Sequence, residues 1–425
     1  MSNFLFALPD GAGVVPPILS VAGALVRAGH DVRALADPVL EPEVRAVGVR
    51  YVPWTRAPHR FVRGEATEFL RDWEARTPAG SFACLRDEIM VGPAARFADD
   101  VLEELARERP DVVVAEAVLL GAQLAAEAAG VPLAVLHTTV MPFPAPGHPP
   151  LGPGFQPAKG RTGRVRDAVV ARLGARLWDK GLPALNAVRA EHGLAPLRAA
   201  LDQLLQADRV LVLTNAAFDF SPHGLPPNLR YTGPRIDDPA WAQPWEPPPG
   251  DAPLVLVSLS SGYQGQLPVL RRAVAALDGA GVRGVVTTGP SIDPALLPAA
   301  PAGVQVVASA PHRAVFGQAA AIVSHCGHGT VMKALAHGVP VVCLPMGRDQ
   351  LDVAARVEAA GAGVRLRPGS SPRALRTAIR RVVGDPAYGR AARRMADLIA
   401  ADLAEDRARA ELEALAAGSR APAVA

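Results

Sequence analysis

The chain has little cysteine, few basic residues other than arginine and no long hydrophobic run, and each shortage argues against a class of protein. Its 425 residues include three cysteines, at Cys84, Cys326 and Cys343. Their number is odd and their spacing is not that of metal ligands, so we expect neither a disulfide framework nor a metal site. The arginines are interspersed with acidic residues around a net charge of +3, which argues against a nucleic-acid partner.

Membrane and export signals are missing as well. The sequence has no stretch of about 18 uncharged apolar residues, and its amino terminus lacks the basic, apolar and small-residue pattern of a signal peptide. We therefore expect no stable membrane insertion and a cytoplasmic location. Apolar residues make up 49% and charged residues 20%, which is globular composition. A chain of this length exceeds one hydrophobic core, so two domains of roughly 200 residues are expected.

Short apolar runs alternate with helical stretches in both halves of the chain. The predicted strands are NFLFALP, DVRAL, DVVVAE and VPLAVLH in the first half and PLVLVSLS, VRGVVTTG, GVQVVA, AAIVSH and VPVVCLP in the second. Fully apolar strands separated by helices are typical of a parallel sheet covered on both faces. We predict an α/β fold with two doubly wound, Rossmann-like domains, whose ligands bind beyond the carboxyl ends of the strands.

A segment dense in proline, glycine and polar residues, from Ser221 to Pro253, divides the chain and is expected to hold little regular structure. The predicted parts are a first domain over residues 1–220, a linker over 221–253, a second domain over 254–386, terminal helices over 387–416 and a frayed tail over 417–425. Irregular insertions are predicted at residues 53–96 and 141–163. Such segments form either substrate walls or mobile surface loops.

The segment SHCGHGT, which ends at Thr330, has the chemistry of an anion site. A helix starting near Gly329 presents free backbone N–H groups and partial positive charge, which favour a diphosphate. Gly327 and Gly329 let the backbone approach phosphate closely. Thr330 can cap the helix or donate its hydroxyl, and His325 can donate from its ring. The charge of a leaving diphosphate would then be stabilised without a metal. A glycine turn of this kind is also simple strand-to-helix geometry.

This segment, the GVPVVCLP strand and the Asp349-Gln350 pair together resemble the carboxyl-terminal signature of nucleotide-sugar glycosyltransferases. The resemblance is to the bacterial enzymes that glycosylate antibiotics and other natural products. It implies the GT-B fold, in which two Rossmann-like domains face each other across a cleft and terminal helices cross back onto the first domain. We expect no cofactor and no metal, with a nucleotide-diphosphate sugar as co-substrate.

The resemblance also implies roles for residues on the donor side. The residues matched to diphosphate binding are Ser261, His325, Gly327, His328, Gly329 and Thr330. Those matched to the donor sugar are Asp349 and Gln350, and those matched to the nucleoside are Pro311 and His312. A carboxylate and an amide suit sugar hydroxyls, although Asp349 could instead, or also, cap the helix that follows it.

The amino-terminal half departs from the family where the catalytic base is expected. LPDGAGVVPPILSVAGALVRAGHDV resembles the family's first strand, loop and helix, but Gly13-Val14 stands where the family carries Gly-His. In the family that histidine acts as general base and a nearby aspartate orients it. Glu116 occupies the expected aspartate position. The ordinary O-transfer mechanism therefore cannot be copied to this chain.

Three residues are candidates for the missing base, namely Asp10, Glu116 and His137. Asp10 precedes Val14 in the same loop, and the other two end strands, where the fold directs side chains at the cleft. Each has another interpretation: a turn-forming aspartate, a residual ion-pair partner and a core histidine bonded to the backbone, respectively. An acidic phenol, an activated aromatic carbon or an indole-type nitrogen demands less of a base, so C- or N-glycosylation remains open.

We predict an inverting hexosyl or deoxyhexosyl glycosyltransferase, monomeric or homodimeric, that uses a dTDP- or UDP-linked donor and a small hydrophobic or aromatic acceptor. The candidate acceptor-side residues are Val14, Trp54, Phe61 and Phe143, whose aromatic members could equally pack the core. One alternative is a catalytically silent protein of the same fold that binds a sugar nucleotide or stabilises a partner enzyme. Another is an epimerase or a lipid-linked transferase.

Overall fold

The computed structural model describes residues 1–143, 145–239 and 242–419. Most of the predicted tail, residues 240 and 241 of the predicted linker and residue 144 of the second insertion lie outside these ranges. The strands are β1 (Asn3–Ala7), β2 (Asp31–Ala36), β3 (Arg50–Pro53), β4 (Val112–Glu116), β5 (Leu133–His137), β6 (Arg209–Val212), β7 (Leu229–Tyr231), β8 (Leu254–Ser258), β9 (Arg283–Thr287), β10 (Val304–Val307), β11 (Ala319–Ser324), β12 (Val341–Cys343) and β13 (Gly363–Arg365).

Helices connect and cover these strands. They are α1 (Val15–Arg27), α2 (Glu41–Ala46), α3 (Pro78–Cys84), α4 (Ala94–Arg107), α5 (Leu120–Ala128), α6 (Gly160–Asp179), α7 (Leu182–Glu191), α8 (Asp202–Leu205), α9 (Leu267–Leu277), α10 (His312–Phe316), α11 (His328–Ala336), α12 (Gln350–Ala359), α13 (Pro372–Gly384), α14 (Pro386–Glu405) and α15 (Arg407–Ser419). Short 3-10 helices occupy Ala12–Val14, Pro38–Leu40, Glu65–Thr67, Asp72–Glu74 and Pro294–Leu296, and a π-helical turn occupies Leu85–Met90.

The strands form two parallel sheets, so the α/β prediction is confirmed. The first sheet has the order β3-β2-β1-β4-β5-β6-β7 and the second the order β10-β9-β8-β11-β12-β13. Burial on both faces explains the unbroken apolar runs. Val113 and Ala115 of β4 face the core under α4 and α5, whereas Val112 and Val114 face the core that α1 and α15 cover.

In both sheets the strand order reverses at a central pair, β1 with β4 and β8 with β11. A crevice opens at the carboxyl ends of the strands at such a reversal, and open α/β sheets bind ligands there. The loops after these four strands therefore define where a site is expected.

The two terminal helices link the halves of the molecule. Helix α14 packs against α11 of the second unit, and α15 packs against α1 and β4 of the first. Between them Asp406 turns the chain with φ of 44°. Ala408 and Leu412 of α15 lie fully buried in the first unit, and Glu411 receives a bond of 2.9 Å from Arg209. No helix in the described ranges is both long and apolar enough to cross a bilayer.

The proline-rich segment and the insertions hold more regular structure than expected. Strand β7 lies inside the segment and pairs with β6, because its NLRY stretch contains no proline and can donate to the ladder. The first insertion contains α3 and the π-helical turn, and α6 begins at the end of the second.

Candidate active site in the cleft between the sheets

A cavity of about 1490 Å³ lies at the carboxyl ends of both sheets, and both units contribute to its wall. Pockets for a single small ligand measure roughly 300–1,000 Å³, so this one has room for two substrates side by side. The loops after β1 and β8 touch at one edge: a Cβ on Gly262 would lie 3.0 Å from the Ala12 Cβ. The cleft is therefore closed along that edge.

The SHCGHGT turn forms one end of the cavity. Strand β11 ends at Ser324, Cys326 has φ of 68°, and α11 begins at His328 with Gly327 as its N-cap. No side chain of the described residues caps this helix, so Thr330 is not its cap and its first N–H groups lack a side-chain partner among those residues. A Cβ on Gly327 would lie 2.6 Å from Nε2 of His325. Glycine at this position therefore permits the close packing of the histidine ring on the turn.

Both histidines of the turn are buried and neutral. Burial, helped by the Arg348 charge, lowers the pKa of His325 to about 3, and its buried Nδ1 has no hydrogen-bond partner among the described residues. Burial lowers the pKa of His328 to about 3, and its Nε2 lies 2.8 Å from Oγ1 of Thr214. A neutral imidazole carries one N–H. His325 lines the cavity and can give that proton to a phosphate, whereas the ring of His328 is engaged by Thr214 and offers the cavity mainly its backbone.

The predicted serine and nucleoside positions lie beside this turn. Ser261 is half-buried and lines the cavity. His312, the first residue of α10, also lines it, and its Nε2 lies 3.2 Å from Oγ of Ser258. Burial, together with the Lys333 charge, lowers the pKa of His312 to about 4. Pro311 is the N-cap of α10 and does not line the cavity.

Asp349 and Gln350, the predicted donor-sugar pair, make different contacts. Thr139 of the first unit donates to the Asp349 carboxylate, and burial raises the pKa of Asp349 above its ordinary value. Asp349 makes no side-chain capping bond, so the capping alternative is wrong. The Gln350 amide oxygen accepts from Met346 N at 2.8 Å and Gly347 N at 3.2 Å, and its nitrogen donates to Gln264 at 2.9 Å. Gln350 therefore shapes the loop that presents Asp349.

Asp10, one of the three candidate bases, is poorly suited to that role. Its carboxylate accepts bonds of 3.0 to 3.1 Å from Arg63, and Nε of Arg60 lies 3.5 Å from it. Both carboxylate oxygens of Asp10 are thus already engaged by guanidinium donors. Asp10 is therefore a structural ion-pair partner.

Glu116 keeps the properties of a base. Burial raises its pKa to about 7, against the backbone bonds from Val118 and Ala117. Its Oε2 accepts from Val118 N at 2.6 Å, and the residue lines the cavity together with Val14. A base with a pKa close to the working pH is near the optimum for proton transfer.

His137 has an unoccupied ring nitrogen. Its Nε2 lies 2.7 Å from the Val140 carbonyl oxygen, which can only accept, so Nε2 carries the proton. Nδ1 then holds a free lone pair, and it has no hydrogen-bond partner in the part of the chain that the structure describes. Burial lowers the pKa of His137, which keeps the ring neutral. The residue lines the cavity and is oriented by a backbone carbonyl.

The structure brings only two of the four predicted acceptor-side residues to the cavity wall. Val14 and Phe143 line the cavity. Trp54 does not, because it is 2% exposed in the core and donates to the Leu8 carbonyl at 3.2 Å. Phe61 is 70% exposed and packs edge-on against His59 outside the cavity. Phe69 and Phe82, from the same aromatic-rich insertion, line the cavity instead.

Helix α12 makes buried contacts with the first unit that the sequence did not indicate. Asp352 accepts from the backbone N–H groups of Gly152 at 2.7 Å and Gly154 at 3.1 Å. One turn further on, Arg356 donates to Asp219 at 2.6 Å. The wall formed by the second insertion is thus held by the second unit. No three metal-ligating side chains within the described ranges come together to hold a metal ion.

We expect Asp352→Ala to raise the acceptor KM several-fold while leaving nucleotide binding unchanged, because it releases the loop at Gly152. It should also lower the free energy of unfolding by about 1–3 kcal/mol, since buried backbone donors lose their acceptor. Steady-state kinetics and denaturant unfolding measure both effects. The matched control is Asp385→Ala, which removes a carboxylate bonded to Ala387 N at the start of α14. An equal rise of KM in both variants would contradict the assignment.

Comparisons with known proteins agree with this architecture. The family described as "Erythromycin biosynthesis protein CIII-like, C-terminal domain" matches residues 272–415. The chain is 32% identical over 412 residues to 4'-demethylrebeccamycin synthase of Lentzea aerocolonigenes, covering 94% of this chain and 96% of the relative. It is 28% identical over 466 residues to TDP-daunosamine transferase DnrS of Streptomyces peucetius, covering 97% and 95%.

Among solved structures, the calicheamicin glycosyltransferase CalG4 superimposes with a TM-score of 0.76 at 24% identity, covering 99% of this chain and 100% of that one. SnogD of Streptomyces nogalater gives 0.65 at 23%, covering 98% and 99%. The sequence match spans nearly the whole chain, and the fold agrees with it. The chain therefore belongs to the glycosyltransferases of antibiotic biosynthesis and is a sugar-transferring enzyme with the GT-B fold.

Proposed function

We propose that this enzyme is an inverting, metal-independent glycosyltransferase that moves a sugar from a dTDP- or UDP-linked donor to a small hydrophobic or aromatic natural-product acceptor. One observation carries the proposal: a single cavity joins an uncapped helix N-terminus, suited to a diphosphate, with a neutral His137 whose Nδ1 is free. A relative that matches 97% of the chain is named TDP-daunosamine transferase, which supports a TDP-linked donor.

The donor lies along the second unit in this proposal. Its diphosphate binds at the first turn of α11 near Thr330 and Ser261, and its sugar extends to Asp349. Helix dipole and backbone N–H groups stabilise the charge that develops on the leaving diphosphate, so the chemistry needs no metal. The acceptor lies against Phe69, Phe82 and Phe143, and its nucleophile attacks the anomeric carbon from the face opposite the diphosphate.

His137 removes the proton from the acceptor, and Glu116 is the alternative base. A neutral imidazole deprotonates a phenol, an indole-type nitrogen or an activated aromatic carbon more readily than an alcohol. The replacement of the family histidine by Val14 is compatible with each of these acceptors. The linkage is therefore an O-aryl, N- or C-glycoside in this proposal.

Thermal unfolding with UDP, dTDP and GDP in EDTA tests the donor site. A nucleotide at about a hundredfold its Kd should stabilise the protein by about 2.7 kcal/mol, and Thr330→Val should reduce that gain. Anomeric coupling constants of the product, formed from a donor of known configuration and acceptors offering phenol, indole or aromatic-carbon nucleophiles, then report inversion and linkage. Stabilisation by none of the nucleotides, or a product with retained configuration, would refute the proposal.

A further inference from the structure

An ion pair crosses the cavity between the two units. Nε of Arg348 lies 2.9 Å from Oδ2 of Asp72, and its Nη2 lies 3.0 Å from Oδ1. Arg348 follows β12 and directly precedes Asp349, whereas Asp72 starts a 3-10 helix of the first insertion. Both residues line the cavity. The arginine thus holds a carboxylate in two-point contact beside the predicted donor sugar site.

The backbone at Arg348 has an unusual conformation. Its φ is 56°, a left-handed conformation that non-glycine residues rarely adopt and that clusters at ligand sites. Cys326 of the phosphate turn shares this feature, with φ of 68°. Two neighbouring cavity loops therefore hold a non-glycine residue in the left-handed region.

The charge of Arg348 is felt at the phosphate turn. It contributes, after burial, to the lowered pKa of His325, which indicates that the guanidinium lies within electrostatic reach of that ring. Two other cavity cations have their own partners: Arg60 bonds to Glu68 and to the Asp10 carbonyl, and Lys333 lies 3.4 Å from Asp238. Arg348 directly precedes Asp349 in the chain and also lies within electrostatic reach of the turn.

We propose that Arg348 is a further catalytic residue, whose guanidinium exchanges the Asp72 carboxylate for the donor's sugar-proximal phosphate; this rests on the proposed function. Guanidinium presents the same planar fork to a carboxylate and to a phosphate, so the exchange replaces one two-point contact by another. Asp72 is a positioning residue that holds the fork at the cleft before the donor binds.

The role in transfer follows from the charge balance. The bond between the anomeric carbon and the diphosphate oxygen breaks, and its electron pair stays on that oxygen, which gains one negative charge. The acceptor nucleophile forms the new bond to the anomeric carbon, and its proton moves to the base. Arg348 pairs with the charge gained by the leaving oxygen, which is an interaction stronger in the transition state than in the bound donor.

The test compares Arg348→Met, Arg348→Lys and Asp72→Asn in the full-length protein. We expect Arg348→Met to lower kcat by about 10²–10³-fold, as for loss of one oxyanion-stabilising donor, and to weaken dTDP or UDP while sparing the corresponding nucleoside monophosphate. Arg348→Lys should recover part of the affinity, because it keeps the charge without the fork. Asp72→Asn should tighten the nucleoside diphosphate and lower kcat far less. Arg209→Met, which removes a guanidinium paired with Glu411 outside the cavity, should change neither quantity.

An ion pair between Arg348 and Asp72 that only holds the two units together predicts different effects of these substitutions. If Arg348→Met and Asp72→Asn weaken the diphosphate and turnover equally, or if monophosphate and diphosphate lose affinity alike, the proposal is overturned. Retained kcat in folded Arg348→Met also overturns it. If the wild-type protein binds no nucleotide, the proposed function itself is refuted. This outcome differs from failure of the Arg348 proposal because it is seen without any substitution.

Discussion

Replacing His137 by alanine should lower kcat by about 10²–10⁴-fold, which is the range that a positioned general base contributes. The Nε2 proton of His137 is donated to the Val140 carbonyl at 2.7 Å, so the buried Nδ1 is the basic atom, and the residue lines a cavity able to hold an acceptor. Nucleotide binding depends on the second unit and should be unchanged. Single-turnover kinetics with a phenolic acceptor, together with a dTDP titration, separate the two quantities.

Glu116→Gln is the comparison that tests this assignment, since it preserves shape while removing the rival base. If Glu116 were the base, Glu116→Gln would lose activity and His137→Ala would keep it. The pH profile gives an independent answer. A base works unprotonated, so the rate rises with pH through its pKa and is level above it.

His137 and Glu116 as base predict that kcat/KM falls at different pH values as the solution is made more acidic. Burial lowers the pKa of His137 below its ordinary value of 6.5, so His137 as base predicts activity that is constant at neutral pH and falls only in more acidic solution. Burial raises the pKa of Glu116 to about 7, so Glu116 as base predicts activity that falls as the pH drops through 7. A fall near pH 7 that disappears in Glu116→Gln would contradict our assignment to His137.

Features encoded in a few neighbouring residues could be predicted from the sequence. The strand, turn and helix around SHCGHGT were predicted because a strand, two glycines and a helix follow one another directly, and the parallel sheets because each strand is apolar on both faces. Strand β7 was missed since only three residues form it within a proline-rich segment, where composition outweighs a short stretch free of proline.

Features that depend on contacts between distant residues could not be predicted. Asp10 resembled a free carboxylate, and its partner Arg63 lies 53 residues away in an irregular insertion. Trp54 and Phe61 are both aromatic residues of that region, and only packing separates the buried one from the exposed one. Arg348 and Asp72 are 276 residues apart, and no local pattern links them.

Gly327→Ala should weaken the nucleoside diphosphate by at least about 100-fold, comparable to the cost of displacing a site by about 1 Å. The added Cβ would lie 2.6 Å from Nε2 and 2.8 Å from Cε1 of His325. That residue is only 6% exposed, so either the packed ring or the turn must move. Calorimetric titration with dTDP and UDP measures the loss.

The control for this variant is Gly384→Ala, at an exposed glycine that ends α13 and has no atom within 4 Å of the new Cβ. Both variants add one methyl group, and only the first adds it at the phosphate turn. Because Gly327 has φ of −58°, an ordinary value for alanine, any loss arises from the contact with His325 and not from backbone strain. Unchanged diphosphate affinity in Gly327→Ala would mean that the donor does not depend on this turn, and the α11 N-terminus would lose its assigned role.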